Sequence, residues 1–172
     1  MRKMLVLLSV FILVACQQKQ EPGSQYQGPV GTMPSMSDTK MLEEVVRKDP
    51  RNVDALIKLG NVNMDTHRFQ EAIDAYQKAL ELDPKNVDVR VDMGTCYRNI
   101  GRADRAVEEY RKAIEINPRH INAHKNLGIV FAFDLKDRAG AVKAIERYLE
   151  LAPNDPDAGR FRQMVADLKA GK

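Results

Sequence analysis

Residues 86–118 read NVDVRVDMGTCYRNIGRADRAVEEYRKAIEINP, and this stretch has a counterpart on each side. Residues 52–84 read NVDALIKLGNVNMDTHRFQEAIDAYQKALELDP, and residues 121–153 read INAHKNLGIVFAFDLKDRAGAVKAIERYLELAP. The three stretches carry similar residues at corresponding positions, so the chain is expected to contain an array of similar units.

A period of 34 residues relates these units. It separates glycines and prolines at corresponding positions, which are Gly60, Gly94 and Gly128, and Pro50, Pro84 and Pro118. Proline ends a helix and glycine allows close helix approach, so these positions are expected to mark helix ends and helix contacts. The pattern resembles the tetratricopeptide repeat. That resemblance implies an all-α, right-handed superhelical solenoid, with repeats at 53–86, 87–120 and 121–155 inside a domain that spans 38–172.

The resemblance also implies packing roles. Small residues on the second helices are expected to face the glycines, namely Ala72, Ala106 and Ala141. Larger residues are expected to fill the space between repeats, namely Tyr76, Tyr110 and Ile145. Tyr148 stands where the other repeats have Ala79 and Ala113, so the packing of the C-terminal helix is expected to open around its ring.

The third repeat carries one extra residue, because Pro118 and Pro153 are 35 residues apart. The insertion falls in the stretch AFDLKDRAGA, residues 132–141. Terminal repeats of a solenoid are usually atypical, which favours a capping adjustment. The alternative is a protruding turn that touches a partner.

Two partial elements are expected at the ends of the array. Residues 38–52 predict a half repeat whose inward-facing residues are Met41, Leu42, Val45 and Val46. Residues 157–169 predict a capping helix, with apolar Phe161, Met164, Val165 and Leu168 at helical spacing. A solenoid needs such caps because its terminal faces would otherwise expose the core.

The N-terminal segment predicts export. Residues 1–15 combine Arg2 and Lys3 with a short apolar run, as a secretory signal peptide does. The stretch LVAC that ends at Cys16 resembles the lipobox of bacterial lipoproteins, which implies lipidation of Cys16. Residues 16–37 are then a flexible, lipid-anchored linker. Gln17, rather than aspartate, follows the cysteine, which favours the outer membrane facing the periplasm.

Composition and motifs narrow the functional class. Lysine and arginine number 27 against 24 acidic residues, and without Arg2 and Lys3 the ratio is 25 to 24, which argues against a nucleic-acid surface. We find no catalytic or phosphate-binding motif, so the protein is expected not to be an enzyme and to hold no cofactor. His120 and His124 are four residues apart but no third ligand is apparent, so no metal site is expected. Cys96 is expected to be a small buried residue.

A binding surface is the remaining candidate. In tetratricopeptide proteins the first helices line a concave groove, and the matching residues form what we call the concave strip. They are Asp54, Ile57, Asn61 and Met64 in the first repeat, Asp88, Val91, Thr95 and Arg98 in the second, and Asn122, Lys125, Ile129 and Phe133 in the third. Apolar residues flanked by hydrogen-bonding groups suit a bound peptide. A solvated face that binds nothing is the alternative, and Glu109 and Lys143 are expected on the exposed convex side.

Some related domains clamp a terminal carboxylate. At the corresponding positions this chain carries Ile57, Asn61, Asp92, Asn122 and Asn126, of which only Asn61 fits. Asp92 would repel a carboxylate, so this mode of binding is not expected.

The expected function is that of a lipid-anchored periplasmic adaptor that binds a peptide or protein partner and supports an envelope complex. The resemblance suggests three partner classes: pilus or secretin assembly, outer-membrane or peptidoglycan machinery, and apocytochrome c handling. The alternative is a structural protein that self-assembles through its half repeat and its C-terminal helix.

Overall fold

The structure, a computed structural model, describes residues 36–171. The expectations for the signal peptide, for Cys16 and for most of the linker lie outside the described residues. Within residues 36–171 the secondary structure is entirely helical, with eight α-helices and one π-helical turn. They are α1 (Met36–Lys48), α2 (Val53–Asp65), α3 (Phe69–Leu82), α4 (Val87–Asn99), α5 (Ala103–Ile116), α6 (Ile121–Ile129), the π turn (Val130–Asp134), α7 (Arg138–Leu151) and α8 (Ala158–Lys169).

The sequence marks the helix ends in a repeating way. Side chains one period apart cap the first helix of each pair: Asn52 accepts a hydrogen bond from Ala55 N, Asn86 from Val89 N, and His120 from Ala123 N. Each second helix ends two residues before its proline, as expected. The turn inside each pair contains a residue at positive φ, which is His67 at 59°, Gly101 at 76° or Lys136 at 57°.

The helix pairs form a tetratricopeptide-type solenoid. Consecutive helices pack against one another along the chain, and α2 also contacts α4, which contacts α6. The first helices of the pairs therefore form a continuous inner layer. A single core runs the length of the array and includes Leu56, Tyr76, Tyr110, Ile145 and Phe161, all nearly inaccessible to solvent.

Glycine permits the close packing of each pair, but the residue above it differs from the expectation. A Cβ atom at Gly94 would lie 2.6 Å from Tyr110 Cε1, and one at Gly128 would lie 2.5 Å from Ile145 Cγ1. Gly60 lies beneath Tyr76 in the same way. The large residues therefore cover the glycine of their own repeat, at the place where the alanines were expected.

The extra residue of the third repeat lies in the π turn. Gly60 and Gly94 each precede the positive-φ residue by seven positions, whereas Gly128 precedes Lys136 by eight. Leu135 N donates to Val130 O at 3.0 Å, a bond that spans five residues instead of four. Lys136 then precedes Ala141 by five residues, the same spacing as in the other two repeats. The insertion is confined to one turn of helix.

The two ends of the array differ in how well they are covered. Leu42 and Val46 of α1 are half-buried, but Met41 is 61% exposed and Val45 is 42% exposed, so their predicted inward orientation was wrong. In a full repeat a preceding helix would cover that face. At the other end, Tyr148 is fully buried and its ring packs edge-on against Phe161 of α8, with centroids 5.0 Å apart.

Glu109 was expected on the exposed convex side, and that expectation was wrong. It is 4% exposed, and its carboxylate accepts from Arg90 Nη1 at 2.9 Å and from Lys112 Nζ at 2.7 Å. Arg90 also donates to Pro84 O at 2.9 Å. The first repeat has Leu56 and Ala75 at the corresponding positions, so this ion pair replaces an apolar contact. Lys143 is exposed as expected.

Candidate peptide-binding groove

The concave strip lies on the inner layer formed by α2, α4 and α6. Its most accessible members are Asp54, Asp88, Asn122 and Phe133. The half-buried members are Ile57, Asn61, Met64, Thr95, Arg98, Lys125 and Ile129. Val91 is only 5% exposed, because it belongs to the core. Val91 therefore offers almost no surface to a partner, although the sequence placed it in the strip.

The polar atoms at the floor of the strip come from the same pair of positions in the first and second repeats. In the first two repeats, the residue after the glycine of the 34-residue period bonds to the hydroxyl of the tyrosine that covers that glycine. In the first repeat Tyr76 OH donates to Asn61 Oδ1 at 2.8 Å, and in the second the Thr95 and Tyr110 hydroxyls are 3.2 Å apart. In the third repeat the pair is apolar, Ile129 and Ile145. The Asn61 oxygen is thus occupied, so its amide can act towards a ligand as a donor.

Burial makes these hydroxyls poor acids. It raises the pKa of Tyr76 well above its ordinary value, and it raises the pKa of Tyr110 to about 12 although Thr95 and Arg98 act in the opposite direction. Both phenols remain neutral hydrogen-bonding groups throughout the physiological range. Their hydroxyls hold the strip in place through Asn61 and Thr95.

Arg98 is fixed by the insertion in the next repeat. Its Nε donates to Asp134 Oδ2 at 2.6 Å, and the two side chains are 37% and 31% exposed. Asp134 ends the π turn, so the extra residue supplies a partner for a groove residue 36 positions earlier in the chain. Within the described chain the Arg98 Nη groups make no protein hydrogen bond, which leaves them free to bind a ligand.

The α2 and α4 part of the strip is acidic. Asp88 Oδ1 lies 2.9 Å from His120 Nε2 and is itself exposed. Burial, and then the charge of Asp88, raises the pKa of Asp92 to about 6, although His120 acts in the opposite direction. A carboxylate whose pKa is raised and which lies near other acidic side chains repels an anionic ligand. This supports the expectation that no carboxylate is clamped here.

Two open clefts flank the third repeat. One, which we call the α8 cleft, has a volume of about 820 Å³ and lies between the π turn with the start of α7 on one side and α8 on the other. The other, of about 630 Å³, lies between the second helices α5 and α7 over Leu127 and Phe131. Charges of both signs line the second cleft, including Arg111, Glu115 and Glu150.

The remaining candidate groups do not assemble into a reactive site. The His120 nitrogens face Ala123 N and Asp88, and His124 Nε2 lies 3.0 Å from Pro118 O. Among the described side chains no cluster of three potential metal ligands occurs. Burial raises the pKa of the Cys96 thiol to about 12, as expected for a core cysteine. None of the helices in the described region is long and apolar enough to span a membrane.

Comparison with known proteins agrees with the fold. Residues 63–124 match the tetratricopeptide repeat family. A search of curated proteins gives no match. The structure of MamA is similar, with a TM-score of 0.72 and 25% identity over 78% of this chain and 76% of that one. These findings, together with the helix-pair architecture, establish the fold as a tetratricopeptide solenoid.

Two further similar structures are described as peptide-binding. The first tetratricopeptide domain of Spaghetti (RPAP3), bound to the HSP90 peptide SRMEEVD, has a TM-score of 0.65 and 26% identity over 71% of this chain and 96% of that one. YrrB, a tetratricopeptide protein with an unusual peptide-binding site, has a TM-score of 0.68 and 25% identity over 73% of this chain and 64% of that one. The comparisons support a protein-binding scaffold.

Sequence reasoning missed three features of this region. The Arg98–Asp134 pair joins residues in different repeats, and the insertion was not assigned a structure that could predict it. The Arg90–Glu109 pair had a signal, because two apolar positions of the first repeat change to opposite charges in the second. The α8 cleft was not considered, because residues 157–169 were interpreted only as a cap.

Proposed function

We propose that this protein is a non-catalytic scaffold that binds an extended peptide segment of a cell-envelope protein along its concave strip. A lipid on Cys16 would hold it at the membrane, through a linker, so that the strip is presented to partners in the periplasm. The complex served would be of the pilus or secretion, outer-membrane, or cytochrome c biogenesis type.

One observation carries the proposal. The strip presents hydrogen-bonding groups that the protein itself fixes in position: Asn61 is held by Tyr76, and Arg98 by Asp134. Such fixed donors lose little conformational entropy when a ligand binds, which favours recognition of a peptide backbone. Ile57 and Ile129, both half-buried, add apolar contacts between them.

The proposal is tested by photocrosslinking in cells. A photoreactive residue placed at Asn122, which is exposed on the strip, should yield a crosslinked partner, and one placed at Lys143 on the opposite side should not. Crosslinks from Lys143 alone would mean that the partner docks on the convex side, in the cleft between α5 and α7. The proposal would then be wrong.

Variants of the strip then measure its contribution. Asn61→Ala combined with Arg98→Ala should lower affinity for the crosslinked partner about tenfold or more, because each donor is worth about 1 to 3 kcal/mol. Asp134→Ala is the matched control, since it removes the ion pair and leaves the Arg98 guanidinium in place. Equal losses of affinity in Asp134→Ala and Arg98→Ala would show that Arg98 acts by pairing with Asp134 rather than by binding the ligand.

A second candidate function is self-assembly, and the uncovered face of α1 favours it. Met41 and Val45 expose apolar surface of the kind that a second copy could cover. Light scattering of the full chain in detergent should then show concentration-dependent oligomers that Met41→Lys with Val45→Lys abolishes. A monomer at all concentrations favours the adaptor.

A further inference from the structure

The α8 cleft continues the concave strip beyond the third repeat. Arg160 and Met164 of α8 follow Lys125 and Ile129 of the strip by 35 residues, which is the length of the third repeat. The cleft thus stands where a fourth repeat would place its part of the groove. A peptide lying along α2, α4 and α6 reaches the cleft at its end.

The floor of the cleft is apolar. Phe133 of the π turn is 49% exposed, although an aromatic ring of this size is ordinarily buried. Beside it lie Ala132, Met164 and Leu168, all half-buried. Phe133 belongs to the π turn that contains the inserted residue, and this position leaves its ring open to a ligand. A side chain of moderate size from a ligand can occupy the floor without displacing a core residue.

The rim of the cleft is cationic. Lys136, Arg138 and Arg160 are all exposed, and over residues 39–171 none of the three takes part in an ion pair. Arg138 Nη2 donates only to the backbone oxygen of Gly171, at 3.3 Å. The one acidic residue of the lining, Asp167, accepts from Gln163 Nε2 at 3.0 Å. The rim therefore has an excess of positive charge.

This charge is opposite to that of the other end of the groove. Asp54, Asp65 and Asp88 are exposed on α2 and α4, and the charges of Asp65 and Asp88 act on Asp92. An acidic ligand segment is thus repelled at α2 and α4 and attracted at α8. Resting on the proposed function, we propose that the α8 cleft binds an acidic stretch of the peptide ligand that carries one apolar anchor residue. The concave shape favours a peptide over a flat lipid surface, because a bilayer cannot reach the floor.

The test uses three fluorescein-labelled decapeptides and the full chain in nonionic detergent. The first peptide contains Glu and Asp around one Phe, the second has Lys in place of each acid, and the third has Ala in place of the Phe. Fluorescence anisotropy should show binding of the first peptide, and binding of the other two weakened about fivefold or more.

Charge-reversed variants then locate the site. Lys136→Glu with Arg160→Glu should lower the affinity for the acidic peptide about tenfold or more and raise the affinity for the basic one. Arg119→Glu with Lys143→Glu changes the net charge equally at exposed residues outside the cleft, and it should alter both affinities less than about twofold. Phe133→Ser should lower the affinity for the acidic peptide without raising the affinity for the basic one. This variant is an independent check in case the charge-reversed variant does not fold.

Each alternative result overturns the inference in a recognisable way. Equal losses in the two charge-reversed variants would mean that net charge alone attracts the peptide. Binding of phosphatidylglycerol vesicles through Lys136 and Arg160, with no binding of the acidic peptide, would assign the rim to a lipid surface. Failure of all three peptides while the photocrosslink at Asn122 persists would remove the α8 cleft and leave the proposed function intact. Loss of the crosslink as well would remove both.

Discussion

Arg90 and Glu109 form a nearly buried ion pair at positions where the first repeat has Leu56 and Ala75. Removal of one partner leaves the other charge buried and unpaired, which is more costly than loss of the pair itself. We expect Glu109→Ala to lower the free energy of unfolding by about 3 kcal/mol. Chemical denaturation of the purified variant measures this value.

The double variant Arg90→Leu with Glu109→Ala is the control for that prediction. It recreates the apolar contact of the first repeat, so its stability should return to within about 1 kcal/mol of the parent. Lys112→Ala should cost little, because Lys112 is half-exposed. A double variant as unstable as Glu109→Ala would show that Leu and Ala at these positions cannot substitute for the ion pair.

Asp92 gives a pH-dependent contribution to stability. Its pKa is about 6 in the folded chain against an ordinary value of 3.8, so the folded state favours the protonated form. The favourable contribution is complete below about pH 4 and is lost as the pH rises through 6. We expect Asp92→Asn to raise the free energy of unfolding by roughly 1 to 2 kcal/mol at pH 8, after allowance for partial solvent screening.

Thermal melting at several pH values checks the Asp92 prediction. The melting temperatures of parent and Asp92→Asn should converge as the pH falls from 8 to 4. Asp88→Asn should reduce the pH dependence in part, because the charge of Asp88 raises the pKa of Asp92. A gap between the Asp92→Asn and parent melting temperatures that persists at pH 4 would mean that the amide stabilises the fold for another reason.

At the scale of the helices, the π turn makes one residue of the third repeat dispensable. Deletion of Ala132 restores the spacing of seven between Gly128 and the positive-φ residue, so the turn should become α-helical as in the other repeats. It also rotates Asp134 by about 100° around the helix axis, away from Arg98. We expect the deleted chain to fold, with a loss of about 0.5 to 1 kcal/mol from the broken ion pair.

A double-variant comparison tests the assignment of that loss. Arg98→Ala should destabilise the parent by a similar amount and have no effect in the chain that lacks Ala132. Deletion of Asn99, which lies in the regular last turn of α4, should be far more harmful because that repeat has no residue to spare. Equal melting temperatures for the two deletions would contradict the placement of the insertion.

The helices also show which features the sequence could predict. The 34-residue period predicted the helix pairs, the close approach at Gly60, Gly94 and Gly128, and the helix ends before the prolines. These features depend on local sterics. Helical spacing could not predict the burial of Val91, which depends on how far neighbouring helices overlap. Met41 and Val45 were misassigned because a half repeat lacks the helix that would cover them. Tertiary context decided each of these cases.

At the scale of the whole chain, the lipid anchor is a prediction that the described residues do not test. Cys16→Ser should abolish incorporation of radiolabelled palmitate and release the protein from the membrane fraction, because acyl chains supply the membrane affinity. Cys96→Ser is the matched control, since that thiol is buried in the fold. Unchanged membrane association of Cys16→Ser would show that the apolar run of residues 1–15 remains as an ordinary anchor.

The π turn also bears on how one array can contain repeats of different length. From Lys136 onward the third repeat has the same spacing to its alanine as the 34-residue repeats have from His67 and Gly101. A change of length that is confined to this turn therefore leaves the helices on either side in register. The same turn presents the exposed Phe133 and the acid that holds Arg98.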